Sequence, residues 1–123
     1  MLVFHRDAKV IIEQVNNGPT EFLPLSIYNY RKKLLSSDYF IVNPLGSYMC
    51  LDRKKSEFHL ERGVFCGIKT MILDPKRLDK VPDLFRPRKD PSNYIASKKL
   101  LDALFKGGEL KPTNIVARKI KIG

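Results

Sequence analysis

The sequence predicts an α+β fold: one small domain spanning residues 1–123, with an antiparallel or mixed sheet of about five strands and two helices packed on it. Three observations lead there. Two segments, 7–15 and 97–105, place apolar residues at helical spacing between a polar cap and a glycine-bearing stop. Several short runs rich in β-branched and aromatic residues are separated by Asn, Pro and Gly. Apolar residues make up 43% of the chain and charged residues 29%, enough of the first to build a core and too little net polarity for a disordered chain.

Taken in order, Leu2-Val3-Phe4 reads as a short strand. Asp7 is the expected N-cap of the first helix, its carboxylate accepting free amides of the opening turn. Ala8, Ile11, Ile12 and Val15 form that helix's apolar face. Asn16-Asn17-Gly18-Pro19 should end it, with Asn or Gly in the left-handed conformation. Thr20 to Ile27 reads as a strand, and Pro24 assigns it to a sheet edge or a bulge because proline has no amide to donate. Tyr28 to Ser36, aromatic and basic, reads as a surface excursion.

Ser37 to Asp52 is the expected centre of the sheet. Phe40-Ile41-Val42 and Tyr48-Met49-Cys50-Leu51 flank Asn43-Pro44-Leu45-Gly46-Ser47, which predicts a hairpin. Asp52 to Glu61 is charged and reads as a turn with Phe58 as its anchor. Gly63 to Leu73 is rich in strand formers, and Asp74-Pro75 stops it. Residues 75–91 hold four prolines and read as an extended loop, anchored by Leu84 and Phe85. Ile95-Ala96 is a short strand and Ser97 the cap of the second helix, whose stripe is Leu100, Leu101, Leu104 and Phe105. Gly107-Gly108 should end that helix, with a last strand from Leu110 to Ile115 and a basic tail from about 116. The helix–strand unit at 11–27 has an echo at 100–115, with Glu21 to Ile27 aligning on Glu109 to Ile115.

No motif for catalysis, a metal or a cofactor is present. His5 and His59 lack a partnered nucleophile and do not stand at ligand spacing from Cys50 and Cys66. Both thiols sit in apolar runs and are expected reduced and half-buried. Asp79 and Asp83 read as solvated loop charges, and Gly107-Gly108 follows a helix where a phosphate loop must open one. The N-terminus has no basic region followed by a long apolar one, and no run reaches the roughly 18 apolar residues of a membrane span, so a cytoplasmic protein with no membrane association is expected. The net charge of +10 points to an acidic partner. One candidate is nucleic acid, through the aromatic-basic run Tyr28 to Lys33, as a binding or regulatory module. The same residue types also anchor protein interfaces.

From Glu21 onward the order of segments resembles a bacterial immunity family, numbered eleven among those that neutralise polymorphic or contact-delivered toxins. The pieces are Glu21 to Leu25, Asp38 to Leu45, Leu51-Asp52 followed by Ser56-Glu57-Phe58, Ile68 to Asp74, Pro82 to Arg86, and Ile95-Ala96-Ser97 with its leucine-rich helix; together they span about three quarters of the chain. Family members usually carry a further segment before the first helix, and their closing strand bears apolar residues where Lys111 and Thr113 flank Pro112 here. The resemblance implies no enzymatic activity and no cofactor. It implies a steric mechanism, in which the chain binds a cognate toxin with an acidic surface or cleft in the producing cell's cytosol. The long Pro-rich loop places that contact at Arg86, Arg88 and Lys89 first, and at Tyr28, Tyr30 and Arg31 second.

Overall fold

The structure, a computed structural model, describes residues 1–90, 92–105 and 120–122. The chain opens with strand β1 (Leu2–His5), which runs directly into helix α1 (Arg6–Val15). Because the strand stays extended through His5, the cap is His5 and not the expected Asp7: the Asp7 amide donates to His5 Nδ1 at 3.2 Å. Asp7 instead sits inside the first turn, where a carboxylate complements the positive end of the helix. Ala8 and Ile12 are fully buried, with Ile11 and Val15 packed beside them, as the apolar face predicts. Lys9, on the helix flank, holds its ammonium 4.6 Å from the Phe40 ring and 5.4 Å from the Phe22 ring while pairing with Glu13 at 3.0 Å.

The helix ends at Asn16 in an extended conformation (ψ 124°), not in the expected left-handed one. Its side chain does the work of the stop. Asn16 Nδ2 donates to Thr20 Oγ1 at 2.8 Å, and Asn16 Oδ1 accepts from the Gly18 amide at 3.4 Å and the distant Leu84 amide at 3.1 Å. Gly18 is required here for room, since a β-carbon on it would lie 2.5 Å from Pro82.

β2 (Thr20–Tyr28) and β3 (Leu34–Pro44) form the long hairpin of a three-stranded antiparallel sheet, ordered β1-β3-β2. Pro24 therefore lies on an edge strand, opposite Phe40, as expected. The stretch Tyr28 to Ser36 is not a surface excursion but this hairpin's apex and flanks. The expected second arm, Tyr48 to Leu51, does not fold back on β3. It runs instead between two later segments, joined to Pro87 through Tyr48 and to Leu73 through Leu51. The amide of Tyr48 donates to the Arg86 carbonyl, and the amide of Asp74 to the Cys50 carbonyl.

β4 (Glu57–Glu61) and β5 (Val64–Thr70) make a second hairpin, so the later half of the expected Asp52–Glu61 turn is strand. Arg62 and Gly63 both have positive φ, the geometry of a two-residue turn that matches strand twist. β6 (Ile72–Leu73) leads into α2 (Pro75–Leu78), a single turn that Asp74 caps through the Lys76 amide at 3.0 Å. β7 (Leu84–Phe85) pairs with β8 (Ile95–Ala96), and α3 (Lys98–Leu104) begins at Ser97, whose Oγ accepts from the Leu100 amide and donates to Asp83. β9 (Lys121–Ile122) pairs in parallel with β6. Gly107-Gly108, the expected last strand, the start of the basic tail and the strand part of the echo's second unit, Glu109 to Ile115, lie outside the described residues.

The fold is thus α+β, but the single sheet of about five strands is replaced, among the described residues, by one three-stranded sheet and three two-stranded pairs, with a third, very short helix. Two buried clusters result. One joins Phe4, Ala8, Ile12 and Val42 to Leu84, Leu100 and Leu104; the other gathers Cys50, Leu51, Leu73, Phe85 and Ile95. The β7–β8 pair is their common wall, because adjacent Leu84 and Phe85 point to opposite faces of the strand.

Candidate interaction surface

The six residues expected to meet a partner fall into two groups. Arg86 is half-buried and engaged: its Nε donates to the Pro44 carbonyl at 3.3 Å, Nη2 donates to Asn43 Oδ1 at 2.7 Å, and the guanidinium lies 4.5 Å from the Tyr94 ring. It ties the loop to the inner end of β3. An open groove of about 400 Å³ beside it is lined by Leu23, Ile41, Asn43 and Tyr94. Arg88 and Lys89 are exposed. Tyr28, Tyr30 and Arg31 lie at the opposite end of β3, whose eleven residues span roughly 30 Å at about 3.3 Å per residue. The two groups therefore do not form one continuous patch.

The surface around Lys89 has more to it than the loop. Lys89 has a φ of 78°, which turns its side chain back over the second hairpin, with the ammonium 5.2 Å from the Phe65 ring. Beneath it lies a small cavity of about 160 Å³ lined by Met49, Leu51, Arg53, Phe58, Leu60 and Phe65. Phe58 and Phe65 meet edge to face at 5.8 Å. Leu60 and Val64 are each 65% exposed and Phe65 40%. Val64 lies on one side of the hairpin; Phe58, Leu60 and Phe65 share the other, an apolar face rimmed by Arg53 and Lys89. Its apolar members were not legible as site residues. The signal that finds them is the turn at Arg62-Gly63, which identifies Phe58 to Phe65 as a hairpin and makes its alternate residues share a face.

The apex of the β2–β3 hairpin is built by one side chain. Asn29 Oδ1 accepts from the amides of Arg31 (2.9 Å) and Lys33 (3.0 Å), while its own amide donates to the Lys33 carbonyl and its carbonyl accepts from Lys32. Lys32 takes the left-handed conformation (φ 61°) that a three-residue hairpin loop requires. Tyr30 is 87% exposed, and the Arg31 guanidinium lies 5.4 Å from its ring.

The titratable residues elsewhere have structural positions. His5 caps α1 and His59 is exposed on β4. Asp83 accepts from Ser97 Oγ at 2.8 Å, binding α3 to the preceding loop, while Asp79 ends α2 at the surface. The cysteines are not the expected half-buried pair: Cys50 is fully buried and Cys66 exposed. Burial pushes the Cys50 thiol above its ordinary pKa, partly offset by the charge of Arg77. Among the described residues, no three His, Cys, Asp or Glu side chains stand together as a metal site, and no helix is long and apolar enough to cross a membrane. No protein-family model and no curated protein matches the chain.

Proposed function

We propose that the protein works by binding alone, as a non-enzymatic immunity protein that covers a cognate toxin or effector carrying an acidic surface or cleft in the producing cell's cytosol. The observation that carries this reading is the face formed by Phe58, Leu60 and Phe65 beneath Lys89, with Arg53 beside it. Apolar anchors surrounded by charge of one sign are the anatomy of an interface that steers its partner electrostatically and holds it by a few buried contacts. The resemblance of the segment order to immunity family eleven supports the same reading, as does the net charge of +10.

The test pairs the chain with the product of the adjacent reading frame. Expression of that product alone should arrest growth, and co-expression of this chain should restore it. Arg88→Glu with Lys89→Glu should slow association and make it less sensitive to salt, whereas Leu60→Ala with Phe65→Ala should chiefly speed dissociation, by about tenfold or more. Protection that survives both pairs of changes, with unaltered rates, removes this face as the site.

A further inference from the structure

We propose that the outer part of the β2–β3 hairpin is a nucleic-acid-binding arm that enters the major groove of duplex DNA. β1 pairs with β3 only as far as Tyr39, opposite His5. Beyond that point β3 has β2 as its one strand neighbour among the described residues, and the hairpin continues as a two-stranded ribbon to its apex at Asn29–Lys33. The ion pair between Arg6 and Asp38, at 2.9 Å, marks its base. From Phe22 to Ser37 the chain has no carboxylate, while Arg31, Lys32 and Lys33 are consecutive and exposed at the apex.

A two-stranded ribbon has the width that the major groove of B-form DNA admits. Three cations at the leading end meet the phosphates that line the groove. The exposed hydroxyls of Tyr28 and Tyr30 can donate to phosphate oxygens, and Leu34 and Leu35, 49% and 62% exposed, offer apolar contacts of the kind that meet thymine methyl groups. The Asn29 hydrogen bonds fix the apex before any partner arrives, so little order remains to be gained on binding.

The order of residues along the arm argues against an anionic membrane. Insertion would carry Arg31 and Lys32, at the apex, deeper than Leu34 and Leu35 behind them, the reverse of how apolar surface enters a bilayer interface. Double-stranded RNA is disfavoured because its major groove is too deep and narrow to admit the ribbon. This site is separate from the Lys89 face, and either assignment can fail without the other.

The experiment is fluorescence anisotropy of the full chain with a labelled duplex of about 20 base pairs, across a range of salt concentrations. The triple variant Arg31→Ala, Lys32→Ala, Lys33→Ala is compared with Lys54→Ala, Lys55→Ala, Lys80→Ala, which removes the same charge elsewhere on the surface, and both are checked for native circular dichroism. The arm variant should bind at least about tenfold more weakly and lower the slope of log affinity against log salt by roughly 2 to 3; the control should change affinity less than about threefold. Equal weakening by both variants would reduce the binding to overall charge and overturn the proposal. So would an absence of duplex binding, equal or tighter binding of a single strand or an RNA duplex, or arm-dependent binding to vesicles rich in anionic phospholipid in place of DNA.

Discussion

Gly18 and Pro82 stand so close that a β-carbon on residue 18 would lie 2.5 Å from both Cβ and Cγ of the proline ring. The contact joins the end of α1 to the loop before β7, beside the hydrogen bond from the Leu84 amide to Asn16. A proline ring has no rotamer by which to withdraw. Gly18→Ala should destabilise the fold by about 1–3 kcal/mol, read as a lower urea midpoint at unchanged slope. A variant as stable as the parent would show that the loop yields freely.

Ser56 is the one buried polar residue among those described, and it replaces a strand partner. Its Oγ donates to the Ile72 carbonyl and accepts from the Ile72 amide, each at 3.0 Å. Ser56→Ala removes the Oγ acceptor of the Ile72 amide, while the Ile72 carbonyl keeps the Asp52 amide at 2.8 Å, and should cost about 1–2 kcal/mol, more than the loss of one exposed hydroxyl. Ser56→Thr keeps the oxygen, and in equilibrium unfolding it should fall between the two.

At the arm's apex, Asn29→Ala removes the acceptor of the Arg31 and Lys33 amides. The apex is exposed, so water takes over part of the role and the global cost should be about 1 kcal/mol or less. Amide hydrogen exchange should rise by about tenfold at Arg31 and Lys33, and stay unchanged at Ile12 and Val42 in the core.

Arg86→Ala tests a structural role against an interface role. Losing the bonds to Asn43 and Pro44 and the stacking on Tyr94 should lower stability by about 1–3 kcal/mol. Arg86→Lys should recover only part, since an ammonium cannot donate in two fixed directions at once. If thermal melting is unaffected by either change, Arg86 is available to a partner after all.

The Cys50 thiol is held neutral by burial, so its pKa is higher in the folded chain than in the unfolded one. The stability this confers is complete below the ordinary thiol range and is lost as pH rises through the raised value. Unfolding measured near neutrality and again at about pH 10 should show a larger alkaline loss in the parent than in Cys50→Ala. In a thiol-labelling assay at mild pH, Cys66 should react at once and Cys50 only on unfolding.

Much of this architecture can be read from the residues, and the exceptions have identifiable causes. The faces of α1 and α3, the cap at Ser97, the edge position of Pro24 and the anchors Leu84 and Phe85 all follow from periodicity and backbone chemistry. The hairpin lies earlier in the chain than turn composition suggests. Asn43-Pro44-Leu45-Gly46 has the composition of a tight turn, yet the turn forms at Asn29–Lys33, where a lysine takes the left-handed position usually given to glycine. The side chain of Asn29 compensates, and an Asn two and four residues before the amides it accepts was the available clue. Tyr48 to Leu51 is apolar because it is buried between later segments, and burial leaves the same trace as strand pairing. Two-residue pairs such as β7 and β8 are too short to show any alternation. Of the expected site residues, Lys89 lies over an apolar face that spacing alone could not assemble, since it needs the second hairpin and the left-handed turn at Lys89.

The first buried cluster has a consequence for synthesis. Its members Phe4, Ala8 and Ile12 are made some seventy or more residues before Leu84, Leu100 and Leu104, which close over them. The β1-β3-β2 sheet and α1 can therefore meet as they emerge, but one apolar face of that unit stays uncovered until the segment from Leu84 to Leu104 follows. An apolar face exposed for that interval is the kind of surface that holdase chaperones intercept.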